Sequence, residues 1–96
     1  MKMMMVLVPS ECLHEVQDLI EQHEIHAYSE IPNVLGAGRR GRKLGTRAFP
    51  GTSAMLLVLT ESSGAEALIE AIKVFAGERD CSSGIRAFAV PAEAVL

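Results

Sequence analysis

The stretch "SAMLLVLT", residues 53–60, gives the strongest strand signal in the chain, and residues 54–59 within it are all apolar. A second run, "MMMVLV" at residues 3–8, has the same character and ends at Pro9. A strand with one face in water alternates apolar and polar residues, and neither run alternates. We therefore predict two central strands whose second sheet face is covered by another copy of the chain. The alternative is a single strand buried at the sheet centre.

Two amphipathic helices are predicted around these strands. Residues 10–24 begin with Ser10 as a helix N-cap and carry apolar residues at helical spacing, namely Leu13, Val16 and Ile20. In the second helix, Ser63 and Glu66 fit a capping box, and Gly77 is a natural C-terminal stop. Its apolar stripe consists of Ala65, Leu68, Ile69, Ile72 and Ala76.

Two weaker strands complete the pattern, at residues 25–33, where Pro32 indicates a sheet edge, and at residues 85–91. The order of elements is then strand, helix, strand, strand, helix, strand. This order predicts an α+β, ferredoxin-like βαββαβ fold, with a four-stranded antiparallel sheet and both helices on one face. Ninety-six residues form a single domain, residues 1–96.

The glycine-rich stretch "GAGRRGRKLGTRAFPG", residues 36–51, carries five positive charges and no acid, in a chain whose net charge is -3. These charges belong to Arg39, Arg40, Arg42, Lys43 and Arg47. The other 80 residues hold 4 bases against 12 acids, a balance of -8. The stretch is predicted to form neither a regular helix nor a regular strand. The split in charge favours a local anion site or a docking loop over nucleic-acid binding by the whole surface.

Within the basic stretch, Gly36, Ala37, Gly38 and Arg39 are interpreted as a corner that cradles phosphate. Glycine lets backbone amides approach an anion closely, and arginine adds a planar fork of donors. Binding to single-stranded nucleic acid is disfavoured because Phe49 is the only aromatic residue in the stretch.

The two cysteines, Cys12 and Cys81, match no metal or redox spacing. They are predicted to be free thiols, which suits a reducing cytoplasm. The N-terminal run "MKMMMVLVP" is too short to span a bilayer and is interpreted as a strand.

Catalytic and metal chemistry have weaker support in the sequence. Histidines 14, 23 and 26 lie on or near the first helix, where solvated histidines are common, so no enzyme activity is predicted. Cys12 and His14, with nearby methionines, suggest an alternative function as a copper- or zinc-binding tolerance module. Methionines on a strand mostly fill the core, so we predict that they do not form a metal site.

Three motifs, in order and on the right elements, resemble the PII family of signalling proteins over nearly the whole chain. The first is Pro9 followed by "LHEV" at residues 13–16, and the second is Gly36-Ala37-Gly38-Arg39 after the second strand. The third is "RAFAVPAE" at residues 86–93, which keeps a basic residue and the phenylalanine, proline and glutamate of the family's last strand.

The resemblance implies a homotrimer that binds a small anionic effector, such as an adenine nucleotide or a carboxylate metabolite, in clefts between subunits. It implies a ligand set of Gly36, Ala37, Gly38, Arg39, Arg40, Gly84 and Arg86. Residues 39–51 would dock on a target protein, such as a membrane transporter or an enzyme, through Arg42, Lys43, Arg47 and Phe49.

Several positions depart from the family pattern. Arg40 replaces a glutamine that helps to hold an acidic metabolite and a metal, and Ser82-Ser83-Gly84 replaces the usual Gly-Asp-Gly turn. The only tyrosine, Tyr28, lies upstream of the loop, so tyrosine nucleotidylylation is not expected. The chain is therefore interpreted as a divergent PII-like protein.

Overall fold

The computed structural model of the chain describes residues 1–25, 27–38, 41–43, 52–81 and 84–96. The elements are β1 (Lys2–Pro9), a 3-10 turn (Ser10–Cys12), α1 (Leu13–Gln22), β2 (Ser29–Val34), β3 (Gly36–Gly38), β4 (Gly41–Lys43), β5 (Ser53–Thr60), α2 (Ser62–Glu78) and β6 (Arg86–Pro91). Four strands form one sheet in the order β2-β5-β1-β6, and all neighbours are antiparallel. This is the predicted ferredoxin-like topology, with β1 and β5 at the centre.

The core lies between the helices and one face of the sheet. Alternate residues of β1 and β5 are buried and pack against the apolar stripes of both helices. The buried set includes Met4, Val6, Val8, Leu56, Val58, Val16, Ile20, Leu68 and Ile72. Each such side chain contributes about 1.5–3 kcal/mol when fully removed from water. Both helices therefore cover the same face, as predicted, because their apolar stripes share one core.

The opposite face of the sheet is apolar, and neither α1 nor α2, the two described α-helices, covers it. The strand register places Met5 between Leu57 and Phe88, and Met3 between Leu59 and Val90. We call this surface the open sheet face, and it consists of Met3, Met5, Leu7, Ile31, Met55, Leu57, Leu59, Phe88 and Val90. Ile31, Leu59, Phe88 and Val90 are exposed, and the others are partly exposed. Both central strands are thus apolar on both sides, as the lack of alternation predicted.

The prediction of two free thiols is wrong. Cys12, at the end of the 3-10 turn, and Cys81, between α2 and β6, form a disulfide. Both cysteines lie in the buried core. Sequence spacing could not indicate this bond, because the partners are 69 residues apart and meet only when the end of α2 packs beside the start of α1.

The helix boundaries differ from the predicted ones at four places, one of which is the end of α1 at Gln22 rather than at residue 24. Residues 10–12 form the 3-10 turn, and the hydroxyl of Ser10 bonds to that of Thr52 instead of capping a helix. Helix α2 begins at Ser62 after Glu61, without a side-chain cap, so the predicted capping box at Ser63 is not formed. The same helix continues through Gly77, because an open glycine site does not by itself stop a helix whose inner face is packed.

Two strand predictions also need correction. The second strand runs from Ser29 to Val34 rather than over residues 25–33, and its register shifts between Ile31 and Val34, where Asn33 adopts positive φ. The stretch that was expected to be irregular contains β3 and β4, which pair as a two-stranded antiparallel sheet. This pairing escaped prediction because the segments GAG and GRK have no apolar alternation.

In the described part of the chain, no helix is long and apolar enough to cross a membrane.

Candidate functional site

The first half of the candidate site lies at the start of β6. Arg86 is exposed and lies opposite Leu7 of β1, at the end of the open sheet face. Gly84 has a φ of +76°, and a Cβ atom built there would lie 3.9 Å from Arg86 Nη1. The fold therefore brings together two of the predicted ligand residues, with the guanidinium beside the glycine backbone.

Arg86 carries a charge that no carboxylate in the described part of the chain neutralises. The described side chains include four cations, at Lys2, Lys73, Arg79 and Arg86. Lys73 pairs with Glu70 at 3.2 Å, and Arg79 pairs with Glu15 at 2.6 Å. Within the described residues Arg86 makes no such pair, so its five donors are available for an external anion.

The second half of the candidate site follows β2. Gly36, Ala37 and Gly38 form β3, and Arg42 and Lys43 belong to β4. The first three residues of the predicted corner are extended, and the fourth, Arg39, lies outside the described residues, so the corner stays a prediction. Nothing lies within 4 Å of a Cβ atom built at Gly36, so this strand is open to close approach from outside.

The two halves lie at the same end of the four-stranded sheet but at opposite edges. Val34, the last residue of β2, lies opposite Ser53 of β5, and Arg86 lies opposite Leu7 of β1. Strands β5 and β1 separate β2 from β6, so three inter-strand spacings of about 4.8 Å put the halves about 14 Å apart. One chain therefore presents both sets of residues at one end without joining them into one pocket.

The remaining predicted residues, Arg39, Arg40, Arg47 and Phe49, lie outside the described residues. Their roles in ligand binding and docking stay predictions.

The 3-10 turn is a feature of this end of the molecule that sequence reasoning missed. Its Ser10 amide donates to the carbonyl oxygen of Thr52 (3.1 Å), and the hydroxyls of these residues lie 2.7 Å apart. Thr52 directly follows the basic stretch, and Cys12 of the turn is bonded to Cys81. The 3-10 turn is therefore bonded to Thr52, at the end of the basic stretch, and to Cys81, which precedes β6. Only the polar pair Thr52-Ser53 before an apolar strand could have indicated such a contact.

The residues suggested for the alternative metal site do not fit a metal. Cys12 is in the disulfide, so it cannot supply the thiolate that the Cys12–His14 interpretation required. Among the described residues, no three His, Cys, Asp or Glu side chains are grouped as metal ligands would be. The pattern of two nearby soft ligands was misleading because the burial that makes Cys12 part of the core also places it against Cys81.

Comparison with known proteins gives one family and a consistent set of structures. The family model for nitrogen regulatory protein P-II matches residues 1–96. A search of curated protein sequences finds no match.

Among solved structures, the chain is similar to CPII of Thiomonas intermedia K12, a nitrogen regulatory PII-like protein bound to ADP, AMP and bicarbonate. The TM-score is 0.73 at 16% identity, with 93% of this chain and 84% of that chain covered. CPII bound to ADP and bicarbonate gives 0.72 at 17% identity, with coverage of 93% and 84%. The apo form gives 0.66 at 13% identity, with coverage of 93% and 87%. At these identities the likeness shows a common fold.

Proposed function

Because the chain belongs to the nitrogen regulatory protein P-II family, we propose that it is a homotrimeric regulatory protein that binds a small anionic effector between subunits. The effector is an adenine nucleotide or a small carboxylate such as bicarbonate. Binding would alter how residues 39–51 dock on a target. The protein acts as a sensor rather than as an enzyme.

The observation that carries this proposal is the separation of the two half-sites. The half-site after β2 and the half-site on β6 lie at one end of the sheet and on opposite edges, and strands β2 and β6 are about 14 Å apart. In a closed ring of identical subunits, each interface joins one patch of a subunit to a different patch of the next. A ring built through the sheets would therefore set the β2 edge of one copy beside the β6 edge of its neighbour and complete a pocket.

The open sheet face supports the ring. Nine apolar residues on a 96-residue chain form a contiguous surface that a soluble monomer rarely exposes. Covering this surface with two further copies would bury it without requiring any other partner. Arg86 lies at the border of the same face, where a neighbouring subunit would exclude water and strengthen its interaction with an anion.

The nature of the effector follows from the donors. Arginine presents a fork that matches the two oxygens of a phosphate or a carboxylate, and backbone amides next to glycine add neutral donors. The structurally similar CPII carries both kinds of anion, as ADP and AMP and as bicarbonate. We propose that Gly36, Ala37, Gly38, Arg39 and Arg40 supply one wall of the cleft. Gly84 and Arg86 of the neighbouring subunit would supply the other.

Docking is assigned to the charge of residues 39–51. This segment holds five positive charges on a body that carries an excess of acids, so it would be attracted to an acidic surface. Arg42, Lys43, Arg47 and Phe49 would make the contacts, and the target would be a membrane transporter or an enzyme in the cytoplasm.

The assembly is tested by light scattering on the purified protein. We expect about 31 kDa, three times the chain mass of 10.3 kDa. Phe88→Asp places a charge on the open sheet face and should dissociate the trimer. Val74→Asp is the matched control, because Val74 on α2 is 60% exposed and Phe88 is 56% exposed. A wild-type monomer, or equal effects of the two substitutions, would contradict the proposal.

Ligand binding is tested by calorimetry with ADP, AMP, ATP and bicarbonate. Loss of a charge-assisted contact in Arg86→Ala should weaken binding about tenfold or more. Lys73→Ala removes one positive charge from the outer surface of α2 and should leave the affinity unchanged. Arg39→Ala tests the opposite wall. No heat with any of these ligands would remove the proposal.

A further inference from the structure

The disulfide lies where the candidate site and the basic stretch meet. Cys12 precedes the first residue of α1 and belongs to the 3-10 turn that holds Thr52. Cys81 accepts a hydrogen bond through its carbonyl oxygen from the amide of Gly84 (2.8 Å), two residues before Arg86. The bond between the two sulfur atoms is therefore a direct link from the end of the basic stretch to the residues before Arg86.

Apart from this bond, the approach to β6 is weakly held in the described structure. The end of α2 is attached to α1 by the Arg79–Glu15 ion pair, whose side chains are about half exposed. Such exposed pairs contribute little to stability. Ile85 is only partly buried against the core, and Gly84 is exposed. The backbone of Arg86 is held by its pairing with Leu7 of β1, whereas Gly84 depends on the attachment of Cys81, whose carbonyl oxygen accepts its hydrogen bond.

We propose that the Cys12–Cys81 disulfide is a reducible clasp, and that the thiol redox state around the protein sets the anion affinity of the half-site at Arg86. This inference rests on the proposed function for its binding part. With the bond closed, Gly84 and Arg86 are held ready for the anion, which lowers the ordering cost of binding. With the bond open, Cys81 and Gly84 lose this attachment to the start of α1, and the competent fraction falls.

The chemistry needs a dithiol as reductant, such as a thioredoxin-type protein or dithiothreitol. Its thiolate attacks Cys81 Sγ, because Cys81 is 5% exposed whereas Cys12 is fully buried. The bond between the two protein sulfurs breaks, and its electron pair goes to Cys12. Cys12 leaves as a thiolate at the N-terminus of α1, where the helix dipole favours negative charge and offsets part of the cost of burying it.

The second thiol of the reductant then completes the exchange. It attacks the reductant's first sulfur, which is bonded to Cys81 in the mixed disulfide. This step releases Cys81 as a thiolate and leaves the reductant as a disulfide. The two protons of the dithiol end on Cys12 and Cys81, so two electrons and two protons pass to the protein. Re-oxidation by a disulfide of the same class reverses each step.

A cytoplasmic location favours a regulatory role for this disulfide. Disulfides that occur there are usually transient, and they serve catalysis or redox sensing. Cys12 and Cys81 are the only cysteines in the chain, so the switch has one bond and no competing partner.

The test compares the oxidised trimer, the trimer treated with millimolar dithiothreitol, a re-oxidised sample and the Cys12→Ser/Cys81→Ser variant. Hydrogen exchange of the amides from Cys81 to Arg86 reports the clasp without any ligand, and calorimetry with ADP reports the affinity. Reduction should speed exchange in this segment and weaken ADP binding about fivefold or more. The double variant should behave like the reduced protein with and without dithiothreitol, and re-oxidation should restore both readouts.

Three results would overturn the clasp: a bond that survives dithiothreitol in the folded trimer, exchange that does not change on reduction, or loss of the whole helical circular dichroism signal. Equal ADP affinity in both redox states would refute the proposal that the disulfide controls anion binding. No ADP binding in either state, together with faster exchange after reduction, would instead refute the proposed function and leave the clasp in place.

Discussion

Gly84 is where a single backbone angle bears on the candidate site. Its φ of +76° is one that L-residues rarely adopt. A side chain would nevertheless have space, because the nearest atom to a Cβ built there is 3.9 Å away. The sequence keeps only one glycine of the family's Gly-Asp-Gly turn, at Gly84, and the need for glycine at this position comes from the angle. The cost of a substitution here is therefore backbone strain and not a clash.

Gly84→Ala should lower the free energy of unfolding by about 1 kcal/mol, because the left-handed conformation penalises a Cβ atom. Gly36→Ala is the matched control, since Gly36 has open space and no positive φ. Its effect should be close to zero. Urea unfolding followed by circular dichroism measures both, and equal losses in the two variants would contradict the argument.

Among the described residues, Tyr28 is a group whose pKa the fold shifts. Burial of the phenol against the core raises its pKa above the ordinary value, and the negative charges of Glu21, Glu30 and Asp18 raise it further. Both causes oppose a further negative charge on the Tyr28 phenol.

Because the pKa of Tyr28 is higher in the folded state, the stability linked to it is fully present below the ordinary value of about 10. It declines as the pH rises through the folded pKa. Tyr28 is the only tyrosine and the chain has no tryptophan, so ultraviolet absorbance of tyrosinate follows this group alone. Tyr28→Phe should flatten the alkaline loss of stability, and a titration midpoint at or below that of free tyrosine would refute the shift.

At the scale of elements, α2 shows how packing overrides a local signal. Gly77 was predicted to end the helix, yet α2 extends to Glu78, and Gly64 lies near its start. A Cβ at Gly77 meets nothing within 4 Å, whereas at Gly64 it would lie 2.6 Å from Thr60 Oγ1. At Gly64 there is no space for a side chain, whereas at Gly77 there is.

Gly77→Ala should raise the free energy of unfolding by about 0.5–1 kcal/mol, because alanine has the better helix propensity. Gly64→Ala should lower it, since the gain in propensity is outweighed by the clash with the Thr60 hydroxyl. Thermal unfolding distinguishes them. Adding Thr60→Ala should rescue Gly64→Ala specifically, and failure of that rescue would show that the clash is not the cause.

The same scale explains the corrections to the strands. β5 was predicted with its observed bounds because both its faces are apolar, which leaves no competing interpretation. β3 and β4 were missed because their pairing has no side-chain periodicity. Edge strand β2 shifted by several residues because the bulge between Ile31 and Val34 breaks the period of two on which the prediction depended.

At the scale of the whole molecule, the disulfide is a large stabilising contribution that the chain's small size makes important. A chain of this length buries only about two-thirds of its unfolded surface. Cys12–Cys81 closes a loop across 69 residues and so restricts the unfolded ensemble.

Reducing the bond should lower the free energy of unfolding by about 4 kcal/mol, following the chain-entropy relation for a loop of this size. Urea titration of the oxidised and reduced protein at equal concentration measures the difference. The Cys12→Ser/Cys81→Ser variant should match the reduced form and show no response to dithiothreitol. A midpoint that is unchanged by reduction would contradict this contribution.

The sequence by itself determined the fold class, the two-sided apolar character of the central strands and the concentration of positive charge in one stretch. These are properties of local periodicity and composition, and neighbouring residues are enough to define them. Only the tertiary structure decided the Cys12–Cys81 bond, the attachment of Ser10 to Thr52, and the placement of Gly36 and Arg86 at one end but opposite edges of the sheet. Each of these depends on which distant segments become neighbours, and strand order and register fix that only once the chain has folded.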